Sequence, residues 1–416
     1  MTSPPGDSVE HYDIAIVGGG MAGLALAASL KHSALRVALV EGKGLPSIES
    51  EPSQAFPPKS DLSAYDARVS ALTPASVELL SDIGAWRFVE SARHRPFQAM
   101  HVWDAMGTAG LHFTAQEVDA PMLGCIVENT VTLDALYRTL QRAHNLDVYC
   151  PRTLVALRTS SDVGAVQQLD LDDGCTLQAQ LVVAADGGNS QVRQLAEFDS
   201  RHWSYQQKAI VATVRTAKSH ENTAWQRFLP EGPLAFLPLA DPEQRLSSIV
   251  WSADTDVAES ILHSDDDQFR RSLERAFESQ LGAIEATSRR YCFPLQQNHA
   301  TDYVKPGIAL IGDAAHVIHP LAGQGVNLGL KDVDILSKEI LRALDAGVSL
   351  GDELFLQRYQ RRRKSDNLAM MAAVETFKRL FGSRNLPMIW LRNEGMRRVS
   401  SFAPLKQRIV RHAMGL

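Results

Sequence analysis

The sequence predicts an α/β protein built on a parallel β-sheet. The first observation is the order of three early segments: an apolar strand over residues 12–17, an Ala- and Leu-rich helix over 21–31, and a second apolar strand over 36–41. Strand, helix and strand in this order form a βαβ unit, which places the two strands parallel. The second observation is a pair of short, wholly apolar segments at 181–185 and 307–311, typical of strands buried on both faces of such a sheet.

Further segments predict a second sheet and several helices. Residues 209–216, 234–239 and 246–251 have the composition of strands, and Asp173-Gly174 is a hairpin-turn signal within the alternating stretch 153–186. Helices are predicted over residues 75–83, 133–143, 265–280, 326–346 and 354–381. The Pro- and Ser-rich segment 43–64 is predicted to be a long loop.

The composition excludes several classes of protein. The 416 residues are 45% hydrophobic and 22% charged, as in globular proteins and unlike disordered chains, collagens or coiled-coil rods. The formal net charge of −6 excludes a chain that binds polyanions over its whole surface. No apolar run reaches about 18 residues and no signal-peptide pattern is seen, so a cytoplasmic protein without a membrane span is expected. The four cysteines lack CxxC or zinc spacing, so free thiols and no metal site are expected.

Charge is distributed unevenly, with a basic C-terminal region. Residues 357–411 hold 14 Lys and Arg against 3 Asp and Glu, a net charge of +11, whereas the remainder of the chain carries −17. Apolar residues such as Met370, Phe377 and Trp390 lie among these charges. For any single helix here, a solvated face packed on its own domain is the favoured interpretation, and an anionic membrane surface is the alternative. Nucleic acid is not an expected partner, because no nucleic-acid-binding module accompanies the charge.

The first motif is the glycine-rich turn between the two early strands. Gly18 permits a tight turn, Gly20 lets the backbone approach a pyrophosphate, and Gly23 lets the helix and strand pack closely. The pyrophosphate is expected at the helix N-terminus, where free N–H groups and the helix dipole favour negative charge. Glu41 ends the second strand, where a carboxylate can accept hydrogen bonds from an adenosine ribose. This motif indicates dinucleotide binding and does not separate FAD from NAD.

The second motif, residues 181–193, is an apolar strand that runs into Asp186. Taken alone, this carboxylate at a strand end is interpreted as a turn-capping residue. As one of three motifs in one chain, it makes Asp186 a candidate cofactor ligand.

The third motif spans residues 312–327. A buried strand delivers Asp313 to the carboxyl edge of the sheet, where α/β folds bind ligands, and a ribityl hydroxyl is a suitable partner for its carboxylate. Gly325 and Asn327 lie where a long helix begins, so its N–H groups are expected to face the cleft and to suit the negative charge of a reduced flavin.

His316, His319 and Pro320 lie within this third motif and are candidates for lining the flavin cleft. The two histidines are candidate general bases, although histidines in a cofactor loop are more often structural. The catalytic residues are therefore left unassigned.

These three motifs, in this order, resemble those of the single-component FAD-dependent aromatic hydroxylases, the class A flavoprotein monooxygenases. The resemblance extends over nearly the whole chain. A narrower resemblance, to the ubiquinone-biosynthesis hydroxylase subfamily, rests on residues 127–129, 225–230, 232–239, 312–330 and 413–416.

The resemblance implies a Rossmann-like FAD-binding domain interleaved with a mixed-sheet substrate domain and a helical C-terminal region. The FAD-binding domain is expected to be discontinuous, over residues 1–84, 125–200 and 300–346. The substrate domain is expected over 85–124 and 201–299, and the basic helical region over 347–416.

The resemblance also implies cofactors and chemistry. Arg68 matches the flavin-contacting arginine of the family, and Asn129 lies where related hydroxylases place a flavin-contacting amide. Reduced FAD is expected to add O₂, giving a C4a-hydroperoxide whose distal oxygen passes to an electron-rich phenol ring. Only one dinucleotide fingerprint is present, so NAD(P)H or a protein reductant is expected to dock transiently.

The implied activity is ring hydroxylation of a polyprenylated phenol in ubiquinone biosynthesis, at C5, with C6 as the alternative. Two other functions stay open: hydroxylation of a small soluble aromatic, and a non-catalytic FAD-bound scaffold of the biosynthetic complex. The substrate is confined to membrane, so the expected partners are an anionic membrane surface at its inner face, a biosynthetic complex or a lipid-presenting protein.

Overall fold

The computed structural model describes residues 9–45, 61–159, 166–318, 325–383 and 385–415. Within these ranges the strands are β1 (Val9–Val17), β2 (Val37–Val40), β3 (Val69–Leu72), β4 (His94–Phe97), β5 (Ala99–Asp104), β6 (Gly110–Thr114), β7 (Gly124–Glu128), β8 (Leu146–Tyr149), β9 (Leu154–Arg158), β10 (Gln167–Leu171), β11 (Thr176–Ala184), β12 (Ser200–Thr216), β13 (Thr223–Leu229), β14 (Gly232–Pro238), β15 (Leu246–Asp254), β16 (Ile284–Thr287), β17 (Tyr291–Ala300), β18 (Val304–Lys305), β19 (Ile308–Leu310) and β20 (His316–Val317). The α-helices are α1 (Met21–Leu30), α2 (Pro74–Asp82), α3 (Trp86–Glu90), α4 (Asn129–Leu140), α5 (Gln191–Leu195), α6 (Thr255–His263), α7 (Asp266–Ala276), α8 (Gly325–Asp345), α9 (Glu353–Gly382), α10 (Leu386–Ser401) and α11 (Ala403–Ala413). Short 3₁₀ helices cover Leu62–Ala64, Ala115–Val118 and Gly312–Ala314.

The first sheet confirms the predicted βαβ unit. Its strands run in the order β18-β19-β11-β1-β2-β8, and the pairs from β19 to β8 are parallel. The carboxyl-terminal parts of the central strands are buried, as Ile14, Leu39 and Val183 illustrate, because helices cover the sheet. The turn predicted at Asp173-Gly174 joins β10 to β11 in an antiparallel hairpin. The carboxyl ends of β1 and β19 lie at one edge, where the first and third motifs meet.

The second sheet is mostly antiparallel, in the order β20-β17-β12-β15-β14-β13-β5-β6, with β16 against β12. Helices α6 and α7 cover one face, where Phe269, Leu273 and Phe277 are buried against Phe236 and Trp251. The predicted strands over 234–239 and 246–251 correspond to β14 and β15. The strand predicted over 209–216 is the buried half of β12, whose exposed, polar first half carried no apolar signal.

A small sheet of β3, β7 and β4 lies next to the other two. Its strand β3 lines one of the two cavities described below. Helix α4 follows β7 directly and begins at Asn129, four residues before the predicted start, because an apolar stripe indicates a buried face and not the first turn. The boundaries expected between the FAD-binding domain, the substrate domain and the C-terminal region remain a prediction.

The C-terminal region forms three helices that pack on the rest of the protein. The ion pair between Arg392 of α10 and Asp104 of β5 is buried, with Nε–Oδ2 and Nη2–Oδ1 distances of 2.7 and 3.0 Å. Arg363 is buried against Asp332, and Lys406 is buried against Glu117. These three basic residues therefore do not contribute to the basic surface that the sequence indicates. Among the described residues, none of the helices combines the length and the apolar composition that crossing a bilayer requires.

Candidate functional site

Five of the predicted cofactor residues line one cavity of about 380 Å³, called here the polar cavity. They are Gly20, Arg68, Asn129, Asp313 and Gly325. The cavity lies at the carboxyl edge of the parallel sheet, between the start of α1, the start of α4 and the start of α8. Sequence segments that are 300 residues apart thus meet where an α/β sheet binds ligands.

The three fingerprint glycines serve different purposes. Gly18 has a φ of +112°, and a Cβ added to it would lie 2.3 Å from the Ala185 carbonyl oxygen. A Cβ at Gly23 would lie 1.9 Å from the Gly18 carbonyl oxygen. For a Cβ at Gly20, by contrast, the nearest atom among the described residues other than its chain neighbours is the Ala185 carbonyl oxygen, at 4.0 Å, although Gly20 lines the cavity. Gly18 and Gly23 are therefore required by packing, and Gly20 leaves space at the cavity wall.

Glu41 directly follows β2, and its side chain binds the backbone of the glycine turn. Its Oε2 accepts the Gly19 backbone N–H at 2.5 Å, and its Oε1 accepts that of Lys43 at 2.6 Å. A carboxylate has about four acceptor positions, so it retains capacity for two ribose hydroxyls. Glu41 is near the fingerprint without lining the polar cavity.

The backbone of Arg68 is held against the start of α4. The Asp66 carboxylate accepts the N–H groups of Arg68 and Thr130, both at 3.0 Å, and the Arg68 carbonyl accepts the Asn129 N–H at 3.0 Å. Glu128 accepts the Asp66 N–H at 2.8 Å and also binds Arg93. Among the described residues no carboxylate pairs with the exposed Arg68 guanidinium. Asn129 already accepts the Ser70 hydroxyl at 2.7 Å.

Asp313 presents a free carboxylate to the cavity. It is exposed and accepts no hydrogen bond from the described residues, although the protein around its turn desolvates the carboxyl enough to raise its pKa. The turn is closely packed, since Gly312 has a φ of +58° and a Cβ at Gly329 of α8 would lie 3.3 Å from the Gly312 Cα. The close approach of α8 brings Gly325 to the cavity.

The structure does not bring Asp186 or Asn327 into this cavity. Asp186 Oδ2 accepts the Gln191 and Val192 N–H groups at 2.7 and 3.1 Å and so caps α5, as the turn-capping alternative anticipated. Asn327 accepts the Thr73 N–H at 2.9 Å and donates to the Ala71 carbonyl at 2.8 Å, so its amide joins α8 to the residues around β3. Both side chains have structural roles here, and the Asp186 Oδ1 is buried without a partner among the described residues.

His316 lies in a buried network instead of the cleft. Its Nε2 is 2.6 Å from Asp332 Oδ2, which also accepts the Gly312 N–H at 2.9 Å, while Arg363 Nε binds Asp332 Oδ1 at 2.7 Å. Burial acts to raise the pKa of Asp332, but His316 and Arg363 hold it below its ordinary value. The network thus fixes the turn that carries Asp313. The other candidates, His319 and Pro320, lie outside the described residues.

A second cavity, of about 270 Å³, is called here the apolar cavity. Its walls come from β3, from the inner face of the antiparallel sheet and from α11. Most lining side chains are aliphatic or aromatic, and the few polar ones include Gln226 and Ser252. Val69 lines this cavity while its neighbour Arg68 lines the polar one, so the two cavities adjoin where β3 begins.

Reasoning from the sequence missed the apolar cavity and the Asp332–Arg363 pair. The cavity residues are scattered over β3–β6, β13–β15 and α11, so no local motif joins them. Asp332 and Arg363 lie on helices with many charges, and nothing in their spacing distinguishes a buried charge from a solvated one.

The polar cavity fits an FAD molecule by the chemistry of its walls. Gly20 leaves room where a pyrophosphate would lie. The Glu41 carboxylate, near the fingerprint, can accept further hydrogen bonds. The Asp313 carboxylate accepts no hydrogen bond from the described residues and could bind a hydroxyl. Arg68 supplies a free cation, and the α8 N-terminus suits negative charge.

Comparison with known proteins agrees with this geometry. A family model described as FAD binding domain matches residues 11–373. The 3-demethoxyubiquinol 3-hydroxylase of Escherichia coli is 37% identical over 97% of this chain and 98% of that protein. Human ubiquinone biosynthesis monooxygenase COQ6, mitochondrial, is 34% identical over 97% of this chain and 92% of that protein. Ubiquinone hydroxylase UbiL of Rhodospirillum rubrum is 36% identical over 99% of this chain and 91% of that protein.

Solved structures share the fold. One is pqsL, a probable FAD-dependent monooxygenase from Pseudomonas aeruginosa, with a TM-score of 0.77 and 23% identity over 94% of this chain and 100% of that one. Another is p-nitrophenol 4-monooxygenase PnpA from Pseudomonas putida, with a TM-score of 0.76 and 16% identity over 98% of this chain and 99% of that one. The shared fold alone does not identify the family. The family match and the 34–37% identity to the ubiquinone-biosynthesis hydroxylases do identify it. The chain belongs to the FAD-dependent aromatic hydroxylases, in their ubiquinone-biosynthesis group, and is a monooxygenase that uses FAD and O₂.

Proposed function

We propose that this enzyme hydroxylates the aromatic ring of a polyprenylated phenol in ubiquinone biosynthesis. The observation that carries the proposal is the apolar cavity beside the polar one. A ring in that cavity, close to β3, would lie next to a flavin held by Arg68 and Asp313. The names of the relatives support the same substrate class. An apolar lining suits a ring with an isoprenoid chain better than a small ionised aromatic.

The proposed roles of the residues follow from their contacts. Gly20 and Glu41 hold the adenosine diphosphate part of FAD, while Arg68, Asn129, Asp313 and Gly325 surround the flavin end. FAD, when bound, supplies the redox and oxygen-activating chemistry. The apolar lining of the second cavity excludes water from the reacting ring.

We assign no catalytic base. His316 lines neither cavity and is committed to Asp332, so we propose that it positions the Asp313 turn. Hydroxylation of an electron-rich phenol then depends on where the ring is held more than on a proton acceptor. For the ring position we propose C5, with C6 as the alternative, and for the reductant NAD(P)H or a protein that docks transiently. We also propose that the enzyme works at the inner face of the membrane, directly or through a lipid-presenting partner.

Deletion of the gene, followed by mass spectrometry of the host's quinone lipids, tests this function. Ubiquinone is expected to fall, and one under-hydroxylated polyprenylphenol is expected to accumulate, whose missing oxygen identifies the ring carbon. The wild-type gene should restore ubiquinone, whereas a Gly20→Ala variant should not. Normal ubiquinone after removal of this gene and of any related hydroxylase genes would contradict the proposal and favour a soluble aromatic substrate.

A further inference from the structure

We propose that α11 and the exposed side of α10 form a docking surface for an anionic lipid bilayer. We further propose that α11 is the wall across which a polyprenyl chain passes from that bilayer into the apolar cavity. The second part rests on the proposed substrate; the first does not.

The two helices expose large apolar side chains. Leu386 and Trp390 of α10 are 78% and 67% exposed, and Phe402, which precedes α11, is 59% exposed. Leu405 and Ile409 of α11 are also exposed. Phe402, Leu405 and Ile409 follow a spacing of three and four residues, which places them along one side of the helix. Large apolar side chains exposed on two successive helices indicate a binding surface.

The charges on these helices identify the kind of partner. Between residues 386 and 413 the only acidic residue is Glu394, which pairs with Arg398 at 2.9 Å. Arg397, Arg408 and Arg411 are exposed, and no carboxylate of the described residues pairs with them. Arginines among exposed aromatic and aliphatic side chains complement anionic headgroups above an acyl layer.

Helix α11 connects this outer surface with the apolar cavity. Val410 and Met414 are buried and line the cavity together with Ile409 and Ala413. Ile409 is thus exposed on one side and lines the cavity on the other. An isoprenoid chain that moves past Ile409 would remain in contact with apolar groups throughout.

The helix is held in place by its polar contacts. Lys406 Nζ is 2.5 Å from Glu117 Oε1, and Gln407 Nε2 donates to the Glu117 carbonyl at 2.7 Å. Both contacts fasten α11 to the 3₁₀ helix Ala115–Val118. Eleven residues extend about 16 Å, about half of a hydrocarbon core, so α11 is suited to lie on a bilayer and not to cross it.

Vesicle flotation with the purified, FAD-loaded full-length enzyme tests the docking surface. The probes are vesicles of phosphatidylcholine alone and of phosphatidylcholine with phosphatidylglycerol. We expect binding to the anionic vesicles only, weakened by salt. A Phe402→Ser/Leu405→Ser variant and an Arg408→Gln/Arg411→Gln variant should each bind about tenfold more weakly or worse. Leu354→Ser is the matched control, because Leu354 is 80% exposed on α9, and it should bind as wild type does.

A second readout separates docking from catalysis. Both surface variants should turn over a water-soluble, short-chain phenol as wild type does, yet lose activity on a long-chain phenol embedded in anionic vesicles. Absence of wild-type binding to anionic vesicles would overturn the proposal and leave this surface to a protein partner. Equal binding by wild type and both variants would also overturn it. Vesicle binding that needs these residues, without hydroxylation of either phenol, would support the docking surface and contradict the proposed function.

Discussion

We expect that the ligand, and not the protein, requires a glycine at position 20. Among the described residues other than its chain neighbours, the atom nearest to a Cβ at Gly20 is the Ala185 carbonyl oxygen, at 4.0 Å. We therefore expect Gly20→Ala to fold with the wild-type denaturation midpoint and to bind FAD at least about tenfold more weakly, because the methyl group occupies space beside the pyrophosphate. Titration of the apoprotein with FAD, followed by flavin fluorescence, measures the affinity; about 1.4 kcal/mol corresponds to tenfold.

Two other glycines serve as controls for this experiment. Gly395→Ala, on α10 and without any atom within 4 Å of its Cβ, should keep wild-type FAD affinity. Gly23→Ala should disrupt folding itself, since its Cβ would overlap the Gly18 carbonyl oxygen. If a folded Gly20→Ala protein bound FAD with wild-type affinity, this result would contradict the proposed position of the pyrophosphate beside Gly20.

For single residues, the sequence predicted the position correctly where the backbone geometry determines the residue type. The turn at Gly18, the close packing at Gly23 and the strand end that carries Asp313 follow from local rules. Asp186 and Asn327 belong to motifs just as clear, yet their side chains bind Gln191 and Thr73. A motif predicts where a residue lies in the fold, but which partner its amide or carboxylate finds depends on tertiary neighbours.

Among the secondary-structure elements, α10 depends on one buried charge pair. Arg392 binds Asp104 through two nitrogens and also donates to three carbonyls, those of Leu380, Phe381 and Ser383. Arg392→Gln leaves the Asp104 carboxylate buried without a cation and the end of α9 without its donor. We expect a loss of about 3–5 kcal/mol in the free energy of unfolding. Urea denaturation, with limited proteolysis between α9 and α10 as a second measure, detects it.

The matched control is Arg398→Gln on the same helix. Arg398 is exposed and pairs with Glu394 four residues away, so its loss should cost at most about 0.5 kcal/mol. Equal stabilities of the two variants would mean that the Arg392–Asp104 pair does not fasten α10.

The strongly patterned elements were also those that the sequence predicted best. The strand β1 and the helix α1 are mostly apolar, and the long helices α8 and α9 carry apolar residues at helical spacing. The first half of β12 and the start of α4 are exposed or polar, so their pairing partners and not their own composition determine their structure. The basic C-terminal region was recognised by composition, but the burial of Arg363, Arg392 and Lys406 depends on acidic residues from distant segments.

In the whole molecule, two cavities of opposite character adjoin where β3 begins. The polar one gathers residues of three sequence motifs and was predicted in outline. The apolar one draws one to three residues from each of seven strands and from α11, and it was not predicted. Under the proposed function, this adjacency would let one fold hold a charged cofactor and an apolar substrate in contact. We propose that the substrate reaches the apolar cavity from the exposed surface of α10 and α11.

Oxygen transfer to the ring is the central claim, and isotope labelling tests it most directly. The FAD-loaded enzyme is reduced chemically without air and then mixed with a polyprenylphenol and isotopically labelled O₂. We expect mass spectrometry to find one labelled oxygen atom on the ring, with the second released as water. Labelled hydrogen peroxide together with an unchanged phenol, under conditions in which the flavin is fully reoxidised, would contradict the account.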